Sequence, residues 1–232
     1  MIEVKDLSHS FYVGKKNKQQ EVPVLKDIQL SIKKGEIVSI VGRSGSGKST
    51  LLNLMSGYIK PTEGELFIKG EQVTHYKESD WADFRSDNLG FIFQSFQLIQ
   101  SMTAYENIEL PLVMKGVDKR DRARRVEEMV EKVGLASIRD HYPSELSGGQ
   151  QQRVSVARAL IAHPPIILAD EPTGSLDQET EAELLSMIQK LNKEENITFV
   201  IITHDEEVAA IADRTIRFED GRLRASKKAV AR

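Results

Sequence analysis

The stretch Ile37-Val38-Ser39-Ile40-Val41-Gly42-Arg43-Ser44-Gly45-Ser46-Gly47-Lys48-Ser49 decides the fold. Its first five residues are a nearly continuous apolar run, which is typical of a strand buried on both faces of a parallel sheet. The remainder matches G-x-x-x-x-G-K-[ST], and residues 50–56 read as a helix that stops at Gly57. This order predicts an α/β protein with a phosphate-binding loop at the start of a helix.

The chemistry of this loop follows from its residue types. The glycines allow backbone N–H groups to close around phosphate oxygens. We expect Lys48 to reach the β- and γ-phosphates of a nucleotide and the Ser49 hydroxyl to ligate Mg²⁺. A chance Gly/Ser turn is the alternative, but the motif follows a predicted strand and opens a predicted helix, which favours phosphate binding.

A second glycine-rich loop, Leu146-Ser147-Gly148-Gly149-Gln150, precedes a predicted helix over 151–161. Ser-x-x-Gln is a capping box, so Ser147 could simply N-cap that helix. A cap does not need two glycines, each of which costs up to about 1 kcal/mol relative to Ala in a helix, whereas close backbone approach to an anion does. Because one nucleotide has one terminal phosphate, two such loops predict a nucleotide shared between two copies of the chain.

Three further apolar runs end at polar residues and are predicted strands of the same parallel sheet. Residues 90–93 run into Gln94, residues 166–169 into Asp170 and Glu171, and residues 199–203 into His204. Ligands bind beyond the carboxyl ends of such strands, so we expect these polar residues to converge with Gly42 on one crevice.

The two acids are candidates for catalysis, because a carboxylate at the end of a buried strand is costly unless it meets a cation or hydrogen bonds. Asp170 can hold the Mg²⁺ shell, and Glu171, one residue further out, can orient and deprotonate an attacking water. A solvated strand end before a turn is the alternative. The phosphate loop in the same chain favours the catalytic interpretation.

Three other side chains have both a functional and a structural interpretation. His204 lies at a strand end, where we expect contact with the γ-phosphate, although a lone histidine is more often structural. Gln94 can reach Mg²⁺ and the attacking water, or cap the segment that follows. Phe11 can stack on adenine or belong to the core of the N-terminal strands.

Composition excludes several classes of protein. The 232 residues contain 32 Lys+Arg and 35 Asp+Glu, so no strong basic field exists to hold nucleic acid. Cysteine is absent, which excludes disulfides and thiolate metal sites and is compatible with the cytosol. Met1 leads directly into Ile2-Glu3-Val4, so we expect no signal peptide. The apolar runs are far shorter than the ~20 residues that span a bilayer, so another chain would supply any membrane span.

The wider pattern predicts a core and an inserted helical lobe. Segments 2–7, 25–32 and 65–68 read as an N-terminal antiparallel β flap, and helices are predicted over 118–133 and 178–191, the latter with Asp177 as a candidate N-cap. We expect a RecA-like core at about 1–94 and 162–225, with a helical lobe at about 95–161.

Taken together, these motifs resemble the ATP-binding subunit of ABC transporters over nearly the whole chain. The resemblance makes 42–49 the Walker A loop, Gln94 the Q-loop glutamine, 146–150 the signature, 166–170 Walker B, Glu171 the catalytic glutamate, 175–177 the D-loop and His204 the switch histidine. Phe11 stands at the A-loop position, where the family often has tyrosine. Several stretches resemble the group of MacB, LolD and FtsE, and subunits of the YtrE type.

The resemblance implies a P-loop ATPase with a mostly parallel central sheet that binds ATP and Mg²⁺. It implies catalytic roles for Glu171, His204 and Gln94, and metal ligation by Ser49, Gln94 and Asp170. The residues expected to bind the nucleotide come from three segments: Phe11; Gly42, Arg43, Ser44, Gly45, Ser46, Gly47, Lys48, Ser49 and Thr50; and Ser147, Gly148, Gly149 and Gln150.

The resemblance also implies partners. These are a second copy of the chain in an ATP-sandwich homodimer and a transmembrane permease of the FtsX-like kind, which would place the chain at the cytoplasmic face of the cell membrane; no nucleic acid is expected. A soluble ABC ATPase that acts on DNA or ribosomes is an alternative, but such proteins have two domains in one chain or a long coiled-coil insertion. A small P-loop kinase or GTPase is a third class, and the signature together with Glu171 after Asp170 argues against it.

Overall fold

The computed structural model describes residues 1–15 and 19–225, and these form ten strands and seven α-helices. The strands are β1 (Ile2–Val13), β2 (Gln20–Ile32), β3 (Ile37–Val41), β4 (Glu63–Ile68), β5 (Glu71–Gln72), β6 (Leu89–Phe93), β7 (Ile166–Asp170), β8 (Thr198–Thr203), β9 (Arg214–Glu219) and β10 (Arg222–Ala225). The helices are α1 (Lys48–Met55), α2 (Glu78–Asn88), α3 (Ala104–Met114), α4 (Lys119–Lys132), α5 (Gly148–Leu160), α6 (Gln178–Glu195) and α7 (Glu206–Ala210).

The chain divides into two units, one formed by residues 1–83 with the described residues from 198 onward, the other by residues 84–197. In the first unit an antiparallel sheet has the order β2-β1-β4-β5. Alternate residues of β1, including Ile2 and Val4, are buried, as expected for a sheet with one face on a core. The predicted antiparallel flap is therefore confirmed.

The strand that precedes the phosphate loop lies in the parallel part of the first unit. β3 pairs in parallel with β8 and with β9, and β10 returns antiparallel to β9. Val38 and Ile40 of β3 are fully buried, as its apolar sequence predicts. Because Val41 is the register partner of Thr203, Gly42 and His204 follow neighbouring strand ends.

In the second unit, β6 and β7 pair in parallel, with Phe93 opposite Asp170. Helices α3, α4 and α5 occupy most of the sequence between these strands, in agreement with the helices predicted there. Side chains cap them at predictable positions: Thr103 forms a capping box with Glu106 at α3, and Asp118 accepts the Arg120 N–H at α4. The α/β fold with a mostly parallel sheet is confirmed; the boundaries of the core and the helical lobe stay a prediction.

Two helix boundaries differ from the prediction by three residues or more, and the others agree within two residues. α5 begins at Gly148 rather than at residue 151, because the Ser147 capping box lies directly before the glycines. α6 begins where predicted but continues to Glu195, four residues beyond Leu191, and ends at Asn196 in the left-handed conformation with φ 54°.

Candidate functional site

The phosphate loop links β3 to α1 through a backbone that requires glycine. Gly47 is the N-cap of α1 at φ 111°, a left-handed conformation that disfavours other residues, and it contributes no side-chain cap. The first N–H groups of a helix have no intrahelical acceptor. They are therefore available to an anion at this end of α1, where the helix dipole also favours negative charge.

Close packing holds the start of the same loop. A Cβ on Gly42 would lie 2.4 Å from the carbonyl oxygen of Phe218 in β9, so only glycine fits between the loop and that strand. The hydroxyl of Ser46 is buried and has no hydrogen-bond partner among the described residues. A buried hydroxyl without a partner is costly unless a ligand supplies one, and a phosphate oxygen would do so.

The Lys48 side chain is held within the loop. It is 7% exposed, and its Nζ donates to the carbonyl oxygens of Gly42 at 2.7 Å and Arg43 at 3.2 Å. An ammonium has three N–H donors. Because two of them are occupied by the loop itself, the charge is fixed at the loop with one donor left for a phosphate oxygen.

A cleft of about 1030 Å³ opens beside this loop within the first unit. Its walls are residues 42–46 of the loop, Val22, Pro23, Val24 and Lys26 of β2, His204, Glu206 and residues 217–221 of the β9–β10 hairpin. The volume is at the upper end of the range of small-molecule sites. The structure thus brings His204 to the same cleft as the first half of the predicted phosphate loop.

Phe11 lies next to this cleft through its strand pairing. It pairs with the cleft residue Val22, and its ring is 41% exposed. The ring makes an edge-to-face contact with that of the largely buried His9, with centroids 4.7 Å apart. The exposed ring is suited to stacking on an aromatic ligand rather than to a place in the core of the sheet.

The predicted residues of the second unit also lie at neighbouring strand ends. Gln94 follows Phe93, whose register partner is Asp170, and Glu171 comes directly after Asp170. The Gln94 side chain packs on the turn after these acids, because a Cβ on Gly174 would lie 2.8 Å from its Nε2. The Gln94 carbonyl oxygen accepts a hydrogen bond from Ser175 Oγ at 3.3 Å.

Glu171 has an unusual backbone conformation. Its φ is 47°, in the left-handed region that a side chain of this size rarely adopts, and its carbonyl oxygen accepts the Gly174 N–H at 3.1 Å. Glu171 and Asp170 are half-buried. Strain of this kind is concentrated at functional sites, where it fixes the direction of a side chain.

The two glycines of the second loop have different surroundings. Gly149 lies against α6, so that a Cβ there would be 2.4 Å from Thr180 Cγ2, while at Gly148 the nearest atom would be the Ser175 carbonyl oxygen at 3.6 Å. Packing therefore explains Gly149, whereas a Cβ on Gly148 would make only ordinary van der Waals contacts, so packing alone does not require glycine there. Ser147 accepts the Gln150 N–H and Gln150 Oε1 accepts the Ser147 N–H, so the capping interpretation also holds.

A magnesium ion suits the types of donor that the chain provides. The hydroxyl of Ser49, the amide of Gln94 and the carboxylate of Asp170 offer hard oxygen ligands, which Mg²⁺ prefers. Mg²⁺ usually retains water and substrate oxygens as further ligands.

Asp177 caps the N-terminus of α6. The Thr180 backbone N–H donates to the Asp177 carboxylate at 3.0 Å, and this hydrogen bond lowers the pKa of Asp177. The N-cap interpretation of Asp177 is therefore supported by its contacts.

Comparison with known proteins gives the family. The sequence profile described as "ABC transporter" matches residues 25–174. The chain belongs to the ABC transporter family. It is 61% identical to the ABC transporter ATP-binding protein YtrE of Bacillus subtilis, over 97% of each chain. It is 45% identical to the macrolide export ATP-binding/permease protein MacB of Shewanella sp. strain ANA-3, over 95% of this chain but only 33% of that protein.

A solved structure of the ABC transporter family supports the same assignment. The ATP-binding cassette MJ0796 of Methanocaldococcus jannaschii, solved as a dimer bound to ADP and Pi, superposes with a TM-score of 0.90 at 41% identity and 98% coverage of both chains. The chain is an ABC-type ATP-binding subunit and an ATPase, as its motifs predicted. Within residues 1–15 and 19–225, no helix combines the length and apolar character needed to cross a membrane.

Sequence reasoning missed several residues that the ABC fold brings to these loops. The β9–β10 hairpin, including Phe218, lines the cleft although it is far from the loop in sequence. Gln152, which is buried in α5, donates to the Pro172 carbonyl oxygen just after Glu171. Arg158 donates to main-chain carbonyls near Gln94. The prediction that all the strand-end residues share one crevice stays a prediction.

Proposed function

We propose that the chain uses residues 42–50 to bind the triphosphate of ATP and hydrolyses the terminal phosphate to drive a membrane protein. The observation that carries this proposal is the loop before α1, where Lys48 is fixed beside uncapped helix N–H groups and Ser46 Oγ is buried without a partner among the described residues. These groups offer positive charge and hydrogen-bond donors, which a phosphate requires.

The proposed roles follow the chemistry of each residue. Glu171 accepts the proton of the attacking water, while Gln94 and His204 orient that water and the γ-phosphate. Ser49, Gln94 and Asp170 would hold Mg²⁺, which neutralises charge on the phosphate oxygens when it is bound. The exposed ring of Phe11 stacks on the adenine.

We further propose that two copies share each ATP, as a sandwich homodimer. The loop before α1 of one copy and residues 147–150 of the other would both contact the γ-phosphate. Support comes from Gly148, a glycine that packing does not require, and from the dimer seen for MJ0796. Hydrogen-bond donors that point at the γ-phosphate from both copies stabilise the transition state more than the ground state, because negative charge develops there during hydrolysis. Loss of that phosphate contact after hydrolysis would open the dimer.

The proposed membrane partner is a separate permease of the MacB or FtsX-like kind, which would hold the chain at the cytoplasmic face of the membrane. MacB supports this, because the chain matches only 33% of that protein, and MacB is named as ATP-binding protein and permease together. We expect the chain to sediment with membranes only when a permease subunit is co-expressed. Equal sedimentation without any permease would contradict this partner.

Substitution Lys48→Ala tests the phosphate site. We expect the Kd for a non-hydrolysable ATP analogue to rise roughly tenfold to a hundredfold, because a charge-assisted hydrogen bond to phosphate contributes about 1.5–3 kcal/mol. Isothermal titration calorimetry measures this, with Lys34→Ala as the control, since Lys34 is an exposed lysine in the turn before β3. An unchanged Kd for Lys48→Ala would rule out the proposed loop as the phosphate site.

A further inference from the structure

One arginine near the end of α5 binds the segment that follows Gln94. Arg158 Nη1 donates to the carbonyl oxygen of Gln97 at 2.6 Å, and Nη2 donates to that of Phe96 at 2.7 Å. The rigid, planar guanidinium can bind two adjacent acceptors at once, whereas a lysine ammonium on a flexible chain cannot reproduce this geometry. Arg158 therefore connects α5, the helix that begins at the second glycine-rich loop, to the main chain of Phe96 and Gln97, shortly after Gln94.

The two acceptor residues have a strained backbone. Phe96 has φ 58° and Gln97 has φ 52°, so two successive side-chain-bearing residues lie in the left-handed region. Such a conformation costs free energy and persists only where surrounding contacts maintain it. The Gln97 N–H bonds to Ser95 within the same segment, at 2.6 Å. That bond cannot anchor the segment to the rest of the fold, whereas the two bonds from Arg158 can.

The environment of Arg158 differs from that of a surface arginine. Its side chain is half-buried, and this burial lowers its pKa. A partly buried cation needs good hydrogen-bond acceptors, and here carbonyl oxygens provide them. Arg153, on the same helix, instead forms an ion pair with the exposed carboxylate of Glu183. A surface ion pair of that kind contributes little to stability or to the position of a loop.

We propose that Arg158 is a positioning residue for ATP hydrolysis: by holding Phe96 and Gln97, it fixes the segment from which the Gln94 amide reaches the attacking water. This inference rests on the proposed role of Gln94. The Gln94 side-chain amide packs on Gly174, and the main-chain carbonyl oxygen of Gln94 accepts a hydrogen bond from Ser175 Oγ. If residues 96 and 97 relax, the amide shifts relative to this turn and no longer meets the water in the required direction.

A double-mutant cycle in the full-length chain tests the proposal. Arg158→Lys, Gln94→Ala, the double variant and the control Arg153→Lys are compared by kcat for ATP and by Kd for a non-hydrolysable ATP analogue. We expect Arg158→Lys to lower kcat roughly tenfold to a hundredfold, as loss of an outer-shell partner does, with unchanged Kd. In the Gln94→Ala background, Arg158→Lys should cause no further loss, because it acts through Gln94. Arg153→Lys should retain wild-type kcat.

The outcomes separate this inference from the proposed function. Losses that multiply in the double variant, a wild-type kcat for Arg158→Lys, or an equal loss for Arg153→Lys would each overturn the role of Arg158 while leaving that of Gln94 intact. A wild-type kcat for Gln94→Ala would overturn the proposed function of Gln94, and the role of Arg158 with it. If Arg158→Lys loses its cooperative unfolding transition, Arg158→Gln, which keeps a planar N–H₂ donor, replaces it in the same cycle.

Discussion

Substitution Glu171→Gln is expected to lower the rate of ATP hydrolysis by roughly 10²–10⁴-fold, the usual contribution of a general base. A carboxamide has nearly the same shape as the carboxylate but cannot accept a proton from water. Glutamine is preferable to glycine here because Glu171 has φ 47°, and glycine would also relax the strained backbone. The effect of Glu171→Gln therefore reports on the proton acceptor alone.

The same variant should retain ATP and remain a dimer, because hydrolysis would no longer release the shared γ-phosphate. Phosphate release gives the rate, and gel filtration with ATP gives the oligomeric state. Glu179→Gln is the matched control, since Glu179 is an exposed glutamate in the first turn of α6. Near wild-type hydrolysis by Glu171→Gln, or a monomer in the presence of ATP, would contradict the assignment of Glu171 as the base.

The elements that the sequence predicted well are those with a strong local signal. β3 and β7 are continuous apolar runs, and burial on both faces selects that composition. The start of α6 is marked by the Asp177 cap, whereas α1 begins at Lys48, two residues before its predicted start. α6 continues past the predicted end at Leu191 because Lys193, Glu194 and Glu195 favour helix, and it ends only at Asn196, which takes the left-handed conformation.

The elements that the sequence missed have weak local signals. β9 alternates charged and apolar residues, and only Ile216 and Phe218 are buried. α2 carries few apolar residues apart from Trp81 and Phe84. Their positions depend on pairing and packing with distant parts of the chain.

The same distinction applies to the candidate site. The phosphate loop was predicted from the spacing of its glycines and Lys48, and Asp170 and Glu171 were predicted from their carboxylates at a strand end. Arg158 was missed because its acceptors are carbonyl oxygens, which every residue has, and because the strained conformation of Phe96 and Gln97 has no signature in their side chains. The packing role of Gly149 likewise depends on Thr180 in another helix.

If two copies share each ATP, the number of ATP molecules retained per dimer should depend on whether two substitutions lie in the same chain or in different chains. A site formed within one chain would give the opposite dependence. Heterodimers are prepared from differently tagged chains that all carry Glu171→Gln, so that the copies do not exchange. In one arrangement Lys48→Ala is in one chain and Gly148→Asp in the other; in the second, both substitutions are in the same chain. If each site combines Lys48 of one copy with Gly148 of its partner, the first arrangement keeps one intact site and the second keeps none.

Gly148→Asp is the appropriate substitution, because the surroundings of Gly148 accept a side chain, whereas a Cβ on Gly149 would clash with Thr180. An aspartate at a helix start is compatible with the helix dipole, so α5 should remain folded. Its charge about 4 Å from a phosphate would cost about 4 kcal/mol at a protein surface, enough to abolish ATP retention at that site. ATP retained per dimer after gel filtration is the measurement. Retention in the second arrangement and its loss in the first would show that each copy completes its own site.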